Sequence, residues 1–287
     1  MSKLKAIPPE AAEPSKPKIL IFGKPGVGKT WTALDFPKCY YIDTEGGANL
    51  KRYTDKLKAS GGMYMGPAQG SQDLQTVIDE IKALGVERHD YKTLVIDSIS
   101  KPFNIEINSE AERLGEKDAF GASKKPALRK MATIAKWADR IDMNVIMIAH
   151  EKAQWAGGEQ VGVTFDGPEK LEYELHLCLN IVKTGNSRKA VVKKSRLEEF
   201  PDATNFPWSY EEFANRYGRD IVEGVVKQIV LATPEQLAEL HTLLDVVKLP
   251  DGETDKWLKK ANADTFADMD TQKIVACITM LKNKVKA

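Results

Sequence analysis

Lys29 and Thr30 close an eight-residue segment, Gly23-Lys24-Pro25-Gly26-Val27-Gly28-Lys29-Thr30, with the G-x-x-x-x-G-K-T spacing of a phosphate-binding loop. Each residue type has a chemical task there. The glycines let the backbone curl so that its N–H groups converge on phosphate oxygens. Lys29 supplies a flexible point charge for the β- and γ-phosphates, and the Thr30 hydroxyl is a ligand for Mg²⁺. The segment therefore reads as a site for a nucleoside triphosphate with Mg²⁺. Two carboxylates extend the set. Asp97 ends the apolar run Thr93-Leu94-Val95-Ile96-Asp97 and either holds Mg²⁺, usually through water, or caps the next turn. Glu45 lies just beyond a second apolar run, in Tyr41-Ile42-Asp43-Thr44-Glu45-Gly46-Gly47, where a glutamate orients and partly deprotonates an attacking water. Asp43 competes for that role, although a strand-end residue two positions earlier more often anchors backbone.

These residues need a scaffold. Ile19–Phe22 forms a strand entering the loop, and a helix is expected over Thr30–Asp35, ended before Pro37, with its positive dipole end on the same anion. Cys39–Asp43, Thr93–Asp97 and Val145–His150 read as buried parallel strands. Between them fall a helix capped by Ser71 and stopped near Gly85, and one opened by Pro126 with Leu128, Met131, Ala135, Ala138 and Ile141 facing inward. Leu177–Lys183 and Lys189–Lys194, around Gly185-Asn186, predict a terminal β-hairpin. Strands alternating with helices imply an α/β fold, a mostly parallel sheet wrapped by helices. After about residue 231 the pattern changes. Thr233-Pro234-Glu235-Gln236 is a capping box, and three amphipathic helices follow. The expected organisation is a disordered lead-in over 1–17, a core over 18–212, a linker over 213–232 and a three-helix unit over 233–287.

The 287 residues carry 42 Lys+Arg against 41 Asp+Glu, a formal net charge of +1, so no global basic field demands nucleic acid. Cys39, Cys178 and Cys277 are widely spaced and suit a reducing cytoplasm rather than a disulfide framework or zinc site. No apolar stretch approaches a membrane span, and no signal-peptide core is evident, so the expectation is a cytoplasmic protein with no membrane partner.

Several segments resemble RecA-type ATPases. Cys39–Glu45 is similar to their second strand and catalytic glutamate, and Leu94-Val95-Ile96-Asp97-Ser98 to their Walker B strand. Ile148-Ala149-His150-Glu151-Lys152 resembles the strand-and-sensor segment of the RadA/Sms branch, as Gly167–Glu172 resembles the segment before its next strand. Val191-Val192-Lys193-Lys194-Ser195-Arg196 looks like the Lys-x-Arg hairpin with which RadA and the replicative helicases reach a neighbour's nucleotide. The resemblance spans about 18–200. It implies a RecA-like ATPase in which His150 senses the γ-phosphate and Lys194 and Arg196 act across a homo-oligomer interface. Short cores of this kind occur in phage recombination modules, in the ATPase branch of the Sak single-strand annealing proteins. Residues 233–287 resemble the helical C-terminal domain of phage annealing proteins, which implies a role in binding host single-strand-binding protein.

Residues 151–170, with Trp155 and Phe165 among glycines and no clear period, occupy the position of the second DNA-binding loop of RecA-like proteins. Aromatics there suit stacking on unpaired bases of single-stranded DNA, or Trp155 packs on the core instead. Lys124, Lys125, Arg129 and Lys130 are candidates for backbone phosphates or form an ordinary solvated helix face. A DNA-stimulated recombination ATPase is thus weighed against a small-molecule kinase, which needs an acceptor pocket and an Arg-rich lid, and against a non-catalytic switch such as a helicase loader.

Overall fold

The computed structural model describes residues 15–47, 50–119 and 121–286. Among these residues nine strands form the sheet: β1 (Lys18–Gly23), β2 (Cys39–Asp43), β3 (Met63–Met65), β4 (Thr93–Asp97), β5 (Asn144–Ala156), β6 (Glu159–Phe165), β7 (Leu177–Thr184), β8 (Ser187–Ser195) and β9 (Asn205–Pro207). Their order is β3-β2-β4-β5-β1-β7-β8-β9, with β6 paired to the far half of β5. The strands from β3 through β7 along that order run parallel, while β8 returns antiparallel to β7 and β9 pairs antiparallel with β8. The core is an α/β arrangement with a mostly parallel sheet, and the carboxyl ends of β1, β2, β4 and β5 lie together at one sheet edge, where open α/β sheets bind ligands.

Strand periodicity sorts the apolar residues into two layers. Leu20, Phe22, Ile42, Leu94, Ile96, Val145 and Met147 pack one face against α3 (Leu74–Val86), α4 (Ser100–Leu114) and α5 (Lys124–Arg140). Their neighbours Ile19, Ile21, Tyr41, Val95, Ile146 and Ile148 pack the other face against α1 (Lys29–Ala33), α2 (Lys51–Ala59), α7 (Tyr210–Tyr217) and α8 (Arg219–Val222). A short α6 (Leu171–Glu174) leads into β7. At the C-terminus α9 (Pro234–Val246), α10 (Glu253–Ala261) and α11 (Thr271–Lys286) close on their own core of Leu240, Met269, Ile274, Ile278 and Leu281. The Thr233 capping box is formed: the Gln236 N–H donates to Thr233 Oγ1 at 3.3 Å and the Thr233 N–H to Gln236 Oε1 at 2.9 Å. The unit docks through charge, with Lys82–Asp268 at 2.8 Å, Lys136–Asp264 at 2.5 Å and Arg140–Asp270 at 3.2 Å.

Several local expectations change. The first helix has five residues, so it contributes free N–H groups but little dipole. The third helix is capped by Asp73, whose carboxylate accepts from the Thr76 N–H at 2.7 Å; Ser71 instead donates to the Asp43 carbonyl at 2.5 Å. Leu128 is exposed, because the buried stripe of α5 runs through Ala127, Met131, Ile134, Ala135 and Ala138. The β7–β8 hairpin is not terminal, since β9 pairs outside it. The segment 213–232 begins within α7 and α8, with Phe213 and Val222 buried in the core. Residues 1–14 of the expected lead-in lie outside the described residues. Within its remainder, Lys16 is buried and donates to the carbonyls of Ile221 (2.8 Å) and Gly224 (3.0 Å).

Candidate functional site

The phosphate loop follows β1 directly. A Cβ at Gly23 would stand 2.3 Å from the Ile181 carbonyl oxygen, so the loop can leave the sheet here only without a side chain. Gly28 sits at φ +94°, and a Cβ there would stand 2.4 Å from Arg188 Nε. Lys29 Nζ folds back and donates to the carbonyls of Gly23 (2.7 Å) and Lys24 (3.0 Å), inside the loop it would leave for a phosphate. Burial lowers the Lys29 pKa, against the opposing pull of Asp97, Glu151 and Glu45. Pro25 and Gly26 form the exposed tip, and Val27 is buried beneath it.

The Thr30 hydroxyl donates to Asp97 Oδ2, which also accepts from the Tyr41 hydroxyl at 3.1 Å. Burial pushes the Asp97 carboxyl above its ordinary range, though both hydroxyls oppose the shift. A buried carboxylate meeting a loop threonine is the donor set expected for Mg²⁺, which takes one or two carboxylates and completes its shell with phosphates and water. Among the described residues no cluster of three or more His, Cys, Asp or Glu forms an all-protein metal cage. The residues present thus fit Mg²⁺ brought by a nucleotide: Thr30 and Asp97 would hold it, and it would supply charge neutralisation at the phosphates.

The two competing carboxylates are placed in different surroundings. Asp43 is buried, and its Oδ1 accepts from the backbone N–H of Glu45 (3.0 Å) and Gly46 (2.8 Å), while Oδ2 accepts from the Tyr64 hydroxyl at 3.0 Å. Glu45 is partly exposed. Its Oε1 accepts from Ser98 Oγ at 2.6 Å and lies 3.1 Å from His150 Nε2. Ser98 Oγ and His150 Nε2 are 3.4 Å apart, so Glu45, Ser98 and His150 form one polar cluster from β2, β4 and β5. The Asp97–Ser98 peptide is cis. Thr44 ties the two strand ends together, donating through Oγ1 to the Ser98 carbonyl at 2.7 Å and accepting the Ser98 N–H at 2.9 Å.

His150 is also where β5 leaves the core. Beyond it, residues expected as an irregular loop form the β5–β6 ribbon, with a bulge between Gln154 and Trp155. Its base is fixed to α4: Ser100 accepts the His150 N–H at 2.9 Å and donates to the Asp166 carbonyl at 2.6 Å. Trp155 is 64% exposed on the ribbon, whereas Phe165 is 3% exposed and packs 6.1 Å from the Phe22 ring. The expectation that Phe165 stacks on DNA is therefore corrected; it anchors the ribbon to the core. Lys124 and Lys125 are exposed at the start of α5, and Lys124 lines a 600 Å³ groove with Lys152 and Lys170. Lys130 is paired with Glu106 at 2.9 Å.

The hairpin places its cations at opposite ends. Lys194 pairs across from Cys178, near the beginning of β1, and donates to the Leu175 carbonyl; Arg196 donates to the Tyr173 carbonyl. Arg188 pairs across from Lys183, beyond the end of β1. Six residues of strand, roughly 20 Å, separate Arg188 from Lys194, so Lys194 and Arg196 lie far from their own chain's loop. Arg188, unnoticed in the sequence, donates through Nε to the Val27 carbonyl at 3.0 Å. It borders a 360 Å³ recess with Gly26, Gly28, Lys29, Thr30 and the aromatic Trp31 and Tyr53. The signal available was its position just after Gly185-Asn186: an antiparallel return brings that residue back to the loop end.

A phosphate loop after the first parallel strand, a hydroxyl–carboxylate pair beside it and a held glutamate across from it define a P-loop nucleotide-binding domain of the ATPase type. The chain belongs to the AAA domain family, whose match runs over residues 15–201. No match was found among curated protein sequences. Among solved structures, the crystal structure of the RadB recombinase is similar at 17% sequence identity and a TM-score of 0.46, over 68% of this chain and 88% of that one. Among the described residues, no helix is long and apolar enough to cross a membrane.

Proposed function

We propose that this protein is an Mg²⁺-dependent ATPase that acts on single-stranded DNA in phage recombination or annealing. The observation that carries the reading is the Glu45–Ser98–His150 cluster. It stands across from Thr30 and Asp97, and its histidine is the residue from which the exposed ribbon departs. In this reading Lys29 binds the β- and γ-phosphates and Glu45 holds and activates the attacking water. His150 couples the occupied site to the ribbon that bears Trp155. Lys124 and Lys125 would contact DNA phosphates, and Lys194 and Arg196 would serve the site of the next subunit in a homo-oligomer. The unit over 233–287 would recruit host single-strand-binding protein in the bacterial cytoplasm.

The test is ATP hydrolysis with and without single-stranded DNA, and with Trp155→Ala beside wild type. Hydrolysis should rise with single-stranded DNA, and no added small molecule should become phosphorylated. Trp155→Ala should weaken single-strand binding by about 1–3 kcal/mol per lost stack while leaving DNA-independent hydrolysis near wild type. Trp155 fluorescence should be quenched by DNA, more strongly with a slowly hydrolysed nucleotide present. Hydrolysis indifferent to DNA, with fluorescence unchanged, would remove the DNA half of the reading.

A further inference from the structure

We propose that Arg188 binds the nucleotide phosphates of its own chain, closing over the phosphate loop from the β7–β8 hairpin. The inference rests on the ATP-binding reading above and adds a cation beside Lys29 at the phosphate loop; Arg52, which lines the same recess, is held by the Tyr53 hydroxyl at 2.7 Å.

Strand register makes the placement obligatory. β7 runs parallel to β1, with Phe22 opposite Asn180, so the residues from Ile181 to Thr184 continue past the point where β1 ends and the loop begins. β8 then returns antiparallel, setting Arg188 opposite Lys183 and above the loop. The Trp208 N–H donates to the Arg188 carbonyl at 3.0 Å, which fixes the backbone there. The side chain reaches inward: Nε donates to the Val27 carbonyl, and the guanidinium lies against Gly28, the loop position where a Cβ would collide with it.

Among the described residues, that Val27 bond is the one hydrogen bond of the Arg188 side chain, and it uses one of five N–H donors. A guanidinium is a planar fork suited to phosphate oxygens, whereas a neutral carbonyl satisfies a single donor. Lys29 is in the same condition, folded onto the carbonyls of Gly23 and Lys24. Both cations rest on the carbonyls of the loop that a phosphate would occupy, and both border the same 360 Å³ recess. A nucleotide entering that recess meets Lys29 from the loop and Arg188 from the hairpin. Binding would thus need only one chain, unlike the action of Lys194 and Arg196.

The test uses the full chain and titration calorimetry with Mg·ATP, Mg·ADP and adenosine. Arg188→Ala should raise the Kd for ATP and ADP by roughly 10- to 100-fold, the range for a hydrogen bond to a charged group, and leave adenosine unaffected. Two readouts separate phosphate binding from mere propping of the loop. The melting temperature of nucleotide-free Arg188→Ala should match wild type, and the ¹⁵Nε–¹Hε resonance of Arg188, assigned by its loss in Arg188→Lys, should move on adding Mg·ATP. An equal mixture of Arg188→Ala and Lys29→Ala should bind no better than its components, because both groups act on one chain's nucleotide. Wild-type affinity in Arg188→Ala would overturn the proposal. So would a resonance blind to nucleotide together with a lowered melting temperature, which would assign Arg188 to holding Val27 alone. If wild type itself binds no ATP, the ATP reading fails first, visibly and separately, and this inference with it.

Discussion

Glu45→Gln should bind Mg·ATP about as tightly as wild type and hydrolyse it about 10²–10⁴-fold more slowly, the usual loss when a positioned general base is removed. The substitution is close to isosteric in this site. Glu45 Oε1 accepts from Ser98 Oγ and lies beside His150, and a glutamine amide oxygen can still accept from the Ser98 hydroxyl. The geometry of the cluster should therefore survive while the basicity does not. Asp43→Asn is the informative companion. Asp43 Oδ1 holds the N–H groups of Glu45 and Gly46, and an asparagine oxygen retains those bonds, so its effect should be small beside that of Glu45→Gln. Single-turnover hydrolysis and equilibrium nucleotide binding on the two variants decide the matter. A slow Asp43→Asn beside a normal Glu45→Gln would transfer the base to Asp43.

Arg196→Ala should bind nucleotide normally and lose about 10³–10⁵ in turnover, the scale of an arginine that stabilises charge developing in phosphoryl transfer. Lys194 and Arg196 lie at the end of β8 remote from their own phosphate loop, and each donates to a carbonyl of the segment around α6. Any service to a nucleotide is thus service to another subunit's, which requires a head-to-tail interface. Two consequences follow from that geometry. Activity per subunit should rise with protein concentration. Mixing Arg196→Ala with Lys29→Ala should restore some turnover, because mixed interfaces pair an intact loop with an intact arginine. A verified monomer with a concentration-independent rate and no rescue on mixing would end the oligomeric mechanism.

The sequence alone was enough for whatever is settled within a few neighbouring residues. The phosphate loop is legible because Gly23 stands where a Cβ would meet the Ile181 carbonyl and Gly28 adopts φ +94°, and the Lys and Thr that use the resulting nest are adjacent in the chain. The parallel strands are legible because both faces of β1, β4 and β5 are buried, which leaves continuous apolar runs. The Thr233 capping box is legible because both of its hydrogen bonds span three residues. What the chain brings together over long separations was decided only in three dimensions. Asp43 and Glu45 look alike in sequence, and it is folding that turns one carboxylate onto backbone and sets the other between Ser98 and His150. The Trp155 and Phe165 side chains share a glycine-rich segment, yet the pairing of β5 with β6 exposes the first and buries the second against Phe22. The Lys-x-Arg pattern lies at the end of the hairpin away from this chain's own loop. An antiparallel return reverses direction along the sheet, so the residue nearest the turn, Arg188, reaches the phosphate loop while Lys194 and Arg196 are carried away from it. Local backbone chemistry is written residue by residue; which side chain meets which across the sheet depends on register, a property of paired strands that no single segment carries.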